Sequence, residues 1–151
     1  MVLKLTRWLG VLAVATLFAA PAQAQDAGEI TRRSVAAMHR VTEVTVHDIR
    51  AAAIAGVETI EKLDAHGASD EELIAAARRA LRHIAIDAHR GSRRIDLIAS
   101  RTIEILHDMN ADRRFFRIIR EARARSLETI GGARHRGSHA VRVALEKALG
   151  G

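Results

Sequence analysis

The sequence predicts an all-α protein, an antiparallel bundle of three long helices preceded by a signal peptide. Three observations carry this prediction. Apolar and small residues recur with an 11-residue period through two long segments. Each segment closes on the same punctuation, a residue tolerant of left-handed backbone followed by an N-cap residue. Beyond Pro21 the chain has no proline, so no imide ring interrupts a helix.

Residues 1–24 read as a secretory signal peptide. Lys4 and Arg7 form a short basic region, and Trp8 to Ala20 is apolar. Pro21 breaks any helix, and Ala22-Gln23-Ala24 is a small-x-small cleavage pattern. The apolar run is shorter than the roughly 20 residues that a membrane-spanning helix needs. Cleavage after Ala24 would leave Gln25 first, with Ala20-Pro21-Ala22 as a second site. No paired arginines precede the apolar run, which points away from a twin-arginine route. The expected address is bacterial, exported to the periplasm or secreted, with 25–151 as a single helical-bundle domain.

Composition narrows the function classes. The 151 residues include no Cys, which excludes disulfides, a Cys-ligated zinc site, a thiol nucleophile and a cysteine-linked lipid anchor. Removing the leader removes the only Trp, and the chain has no Tyr. Phe115 and Phe116 are then the only aromatics, which argues against an aromatic-lined substrate pocket. No G-x-S-x-G elbow or Gly-rich phosphate loop is present. Long helices without a pocket-forming insertion argue for a non-enzymatic interaction protein.

The first helix is expected over about 27–66. Stepping 4, 4, 3 from Ile30 gives Ile30, Ser34, Met38, Val41, Thr45, Ile49, Ala52, Gly56, Ile60 and Leu63, all apolar or small. Eleven residues in three turns is close to the period of a straight helix. Asp26-x-x-Glu29 is a capping box at its start. Gly67 supplies the C-terminal left-handed position. A second stripe, Val35, Val46 and Val57, is expected to pack on the third helix, with an oligomer face as the alternative.

The second helix is expected over about 70–109. Adding 43 to each stripe position gives Leu73, Ala77, Leu81, Ile84, Ala88, Ser92, Ile95, Ala99, Ile103 and Leu106, again all apolar or small. Ser69-x-x-Glu72 is its capping box, and Asn110 corresponds to Gly67. Joints of two or three residues force neighbouring helices antiparallel. Small residues at Ser34, Thr45, Gly56, Ala77, Ala88 and Ala99 should let these two helices approach closely.

The third helix is expected over about 113–149, with Asp112 as N-cap. The stripe shifted by another 43 is broken by charges. A different register, Ile119, Ala122, Ser126, Ile130, Ala133, Gly137, Val141, Ala144 and Ala148, fits better. Gly131, Gly132 and Gly137 each cost about 1 kcal/mol relative to Ala inside a helix. A kink or split is therefore expected near 131–137. Cores of small side chains bury little area, so a self-associating rod or chaperone-like spacer is one alternative function.

Charge is distributed unevenly. Export would take Lys4 and Arg7, lowering the net charge from +6 to +4. Residues 25–72 carry five basic and ten acidic side chains, whereas 73–151 carry 17 and eight. An acidic first helix could lie against two basic ones. The excess centres on Arg113, Arg114, Arg117, Arg120 and Arg123, beside Phe115 and Phe116. Arg113, Arg117 and Arg120 share one helix face. A basic helix with adjacent apolar side chains suits a membrane surface or a polyanion, and guanidinium groups grip phosphate and carboxylate in a fork. The expected partner is an anionic envelope component or an acidic protein, with peripheral membrane contact. Export points away from nucleic acid.

A second alternative is weak divalent-metal binding. His39-x-x-x-Glu43-x-x-x-His47 lines one helix face with imidazole and carboxylate ligands. Folding about residues 67–68 would bring Asp87 and His89 to the height of His47. No other cofactor is expected. Glu104-x-x-His107 has the spacing of di-metal bundles but stands alone, and reads as a pair near a helix C-terminus.

Overall fold

The computed structural model describes residues 27–150. The expected signal peptide, and Asp26 of the first expected capping box, lie outside the described residues. Three helices follow one another: α1 (Ala27–Ala65), α2 (Asp70–Asp108) and α3 (Arg113–Gly150). Their ends match the predicted ones to within one residue. At 1.5 Å per residue each is about 58 Å long. Among the described residues, no helix is long and apolar enough to cross a membrane.

The helix ends form by local chemistry. Gly67 and Asn110 adopt left-handed backbone, with φ of 69° and 49°. The Ala68 N–H then reaches back to the Leu63 carbonyl at 3.0 Å, and the Ala111 N–H to the Leu106 carbonyl at 2.9 Å. These are equivalent C-terminal closures one 43-residue unit apart. Ser69 caps α2: its backbone N–H donates to Glu72 Oε2 at 2.9 Å, and its Oγ accepts the Glu72 N–H at 3.4 Å. Asp112 Oδ1 accepts the Arg114 N–H at 2.8 Å, capping α3.

Each helix packs on the other two. Ser34 lies against Thr102, Thr45 against Gly91, and Gly56 against Ala80. Numbers rise along α1 as they fall along α2, so the two helices run antiparallel. Gly56 meets Val141, and Gly137 meets Ala53 and Ile49, so α3 runs parallel to α1.

One spacing organises the core. Met38, Ile49 and Ile60 in α1, Leu73, Ile84, Ile95 and Leu106 in α2, and Ile119, Ile130 and Val141 in α3 are all buried. Within each helix they stand 11 residues apart. Three turns of 3.67 residues return each side chain to nearly the same direction, so nearly straight helices stay in contact along their length. The buried hydroxyls are satisfied inside this core. Thr42, Thr45 and Thr102 donate to the carbonyls of Met38, Val41 and Ile98 at 2.7–2.8 Å.

The predicted stripes need adjustment at their margins. Ile30, Val41, Ala52 and Leu63 of the first list are half-buried, while Thr31, Ala37, Thr42 and Ala53 are buried instead. In α2, Leu81, Ser92 and Ile103 are half-buried, and Ala76, Ala80, Gly91, Ile98 and Thr102 join the core. Two partner helices widen the buried arc beyond one stripe. The close approach on the α2 side falls at Ala80, Gly91 and Thr102 rather than at Ala77, Ala88 and Ala99, although these three alanines are also buried. The alternative register of α3 is the observed one through Val141: Ile119, Ala122, Ser126, Ile130, Ala133, Gly137 and Val141 are its buried residues, while Ala144 and Ala148 at its end are half-buried.

The expected split of the third helix does not occur. α3 runs without interruption through 131–137. Gly137 sits where a Cβ would come 3.3 Å from that of Ala53, so its small size serves packing. Burial of Ile130, Ala133 and Val141 on either side of the glycines outweighs their local helix cost.

Candidate anionic-surface interface

The capped start of α3 sets the position of the arginines. With Asp112 at the cap and Ile119 and Ala122 turned into the core, the helical period turns Arg113, Arg114, Arg117 and Arg120 outward, and all four are exposed. They line one shallow concavity with Asp112 and Glu121. The expected common face of Arg113, Arg117 and Arg120 is therefore present. Arg117 lies 3.9 Å from Glu121 on the next turn, a solvent-exposed pair that little restrains it.

Arg123 is placed differently. Its Nε donates to Asp96 Oδ1 at 2.8 Å, tying α3 to α2. It belongs partly to the fold rather than to the free cationic face. This bond is where the basic α3 meets a carboxylate of another helix.

Phe115 and Phe116 are half-buried and pack against the core. Neither stands clear of the bundle as a free wedge, because both lie on the shoulder of the arc that α3 turns toward its neighbours. The Arg114 guanidinium carbon rests 4.7 Å from the centre of the Phe115 ring. That contact is within cation–π range and holds the guanidinium above an apolar surface.

A groove opens beside this face, between the first turns of α1 and α3. Val35, Ala36, Phe115 and Ile118 line it, with Arg32, Arg40 and Arg114 among its walls. Its volume is about 1060 Å³, and it lies open to solvent. Sequence reading found Arg114, Phe115 and the seam position of Val35 but missed Arg32 and Arg40. Arg32 and Arg40 lie more than 70 residues away in sequence, and only the parallel placement of α1 and α3 brings them alongside.

Val35 and Val46 of the second valine stripe line the α1–α3 seam with Ala122 and Ser126, and Val57 is half-buried against the core.

The expected metal ligands do not converge. His39 Nδ1 lies 3.5 Å from Glu43 Oε1, both side chains mostly exposed. His47 and His89 are exposed and Asp87 is half-buried. Among the described residues, no three His, Asp or Glu side chains are placed to share one ion. One straight helix spreads residues at i, i+4 and i+8 over more than two turns, so the outer histidines cannot reach a common centre.

Glu72 is the described titratable group whose acidity is clearly displaced. Its carboxylate accepts from the Ser69 backbone N–H and then from the Ser69 hydroxyl, and both bonds hold its pKa below the usual glutamate value. This belongs to helix capping and lies at the opposite end of α2 from the arginine face.

Comparisons with protein families, curated proteins and solved structures give no match to this chain.

Proposed function

We propose that this is an exported, non-enzymatic helical protein that binds an anionic envelope surface through the first turns of α3. The carrying observation is the exposed face that gathers Arg113, Arg114, Arg117 and Arg120 on one side of a rigid helix. Rigid guanidinium groups at helical spacing present several phosphate-binding forks at once, without ordering a flexible tail. The non-enzymatic reading is supported by the interior: the buried polar side chains described are Ser and Thr hydroxyls. Perturbed acids and bases gather where catalysis needs them, and among the described residues the displaced group, Glu72, serves a cap.

The test is co-sedimentation of residues 25–151, which carry the complete described core, with vesicles of phosphatidylglycerol or of phosphatidylcholine. Binding to the anionic vesicles that weakens at high salt, and that Arg113→Glu/Arg117→Glu/Arg120→Glu abolishes, is the expected result. Equal binding to both vesicle types, or to neither, overturns the reading. Pulldown from an envelope extract with the same variant then identifies the component, an acidic protein being the competing outcome. Detection must use a tag, because residues 25–151 contain no Trp or Tyr.

A further inference from the structure

The groove between α1 and α3 has a composition that the arginine face alone does not explain. Its floor is apolar, from Val35, Ala36, Phe115 and Ile118. Three arginines, Arg32, Arg40 and Arg114, stand around it, and none of its lining residues is acidic. Helix α1 overall carries many carboxylates, so their absence from this groove is local. Both helices present their N-terminal, electropositive ends here, which adds to the positive potential.

The groove continues. Val35 and His39 also line the next depression along the same seam, with Val46, Ala122 and Ser126 and with Glu43 and Arg125 at its rim, so the acid-free stretch is the end nearest the helix N-termini. From Gly28 to Val46 along α1 this furrow runs about 27 Å at 1.5 Å per residue. A single acyl chain in a bilayer leaflet spans about 15 Å, half of the hydrocarbon core. The furrow is therefore long enough for one chain, with its cationic end at the start of the helices.

We propose that the α1–α3 furrow binds one anionic acyl lipid, its chain lying on Val35, Ala36, Phe115 and Ile118 and its phosphate held by Arg32 and Arg114 at the start of the two helices. The charge complementarity selects this occupant over an uncharged amphiphile. The proposal rests on the anionic-surface reading, since Arg114 belongs to both, and it names the lipid class that the surface offers. It adds contacts from α1 that the arginine face does not use.

Titration calorimetry on residues 25–151 tests this with monomeric myristoyl lysophosphatidylglycerol. The expected result is saturable one-to-one uptake. Lysophosphatidylcholine, whose choline cation would sit among the arginines, and the Arg32→Glu variant with the anionic lipid should each bind about tenfold more weakly. Ala36→Trp, which fills the furrow from an exposed position, should abolish uptake yet keep binding to phosphatidylglycerol vesicles. Uptake that survives Ala36→Trp, or that lysophosphatidylcholine equals, overturns the proposal. Glycerol phosphate binding as tightly as the lyso-lipid overturns it too, since the head group alone would then suffice. Arg32 is also exposed, so its variant decides the question if Ala36→Trp fails to fold. Arg113→Glu/Arg117→Glu/Arg120→Glu separates the two readings: loss of vesicle binding with uptake retained leaves the furrow site standing on its own residues.

Discussion

The hydroxyls of Ser34 and Thr102 meet 2.8 Å apart in the interior, across the antiparallel seam of α1 and α2. Thr102 also bonds the Ile98 carbonyl at 2.7 Å. A hydroxyl has one proton, so when Thr102 gives its proton to Ile98, Ser34 is the donor of the pair. This bond ties the two helices at one end of the bundle, in the same register as the Thr45–Gly91 and Gly56–Ala80 contacts.

Thr102→Val should destabilise the bundle by about 1–2 kcal/mol, because it leaves the Ser34 hydroxyl without its cross-helix partner. Ser34→Ala should cost about 1 kcal/mol. The double variant should cost less than the sum, with a coupling of about 0.5–1 kcal/mol. Urea denaturation followed by circular dichroism measures all three, and strict additivity would show that the bond contributes nothing.

Glycines at different depths should respond with opposite signs. A Cβ on Gly91 would overlap the Thr45 side chain, and one on Gly131 would meet nothing within 4 Å. Gly131→Ala should therefore stabilise by about 0.5–1 kcal/mol through helix propensity. Gly91→Ala should destabilise despite the same propensity gain, since the seam must open to admit the methyl. Thermal unfolding of the two variants beside the parent gives the comparison. Stabilisation by both would mean that the seam is looser than described.

The α2 cap should be sensitive to acid. The Glu72 pKa is held below the usual glutamate value by its bonds to Ser69. A carboxyl whose folded-state pKa is depressed contributes stability above its unfolded pKa. That contribution fades as the pH falls through the folded value. Glu72→Gln should remove this part of the acid sensitivity, so the two unfolding curves converge below the usual glutamate range. Ser69→Ala should cost about 1 kcal/mol at neutral pH. A Glu72→Gln profile parallel to the parent at every pH would disprove the assignment.

Arg123 and Arg117 should behave differently despite similar sequence surroundings. Arg123 is tied to Asp96 across the α2–α3 seam, with both side chains roughly half exposed. Solvent screening limits that pair to about 0.2–1 kcal/mol. Arg123→Ala should lower stability by that amount and weaken anionic-vesicle binding less than Arg117→Ala does. Co-sedimentation and urea denaturation on both variants check the split, and equal loss of binding would return Arg123 to the cationic face.

By itself the sequence determined the helices, their ends and their order. Those features depend on local forces: an 11-residue apolar period, left-handed turns at Gly67 and Asn110, and the Ser69–Glu72 cap act over a few residues. The sequence also marked the arginine face, because residues at i, i+4 and i+7 share a side wherever the helix lies. Only the tertiary structure decided what each face meets. It kept α3 whole through 131–137, because Ile130, Ala133 and Val141 are buried and Gly137 packs against both α1 and α2. It assigned Arg123 to Asp96 and set Phe115 and Phe116 partly into the core. It also placed Arg32 and Arg40 beside Arg114. Contacts between residues far apart in the chain depend on how helices are paired and registered, and side-chain packing between helices sets that register, which no local pattern encodes.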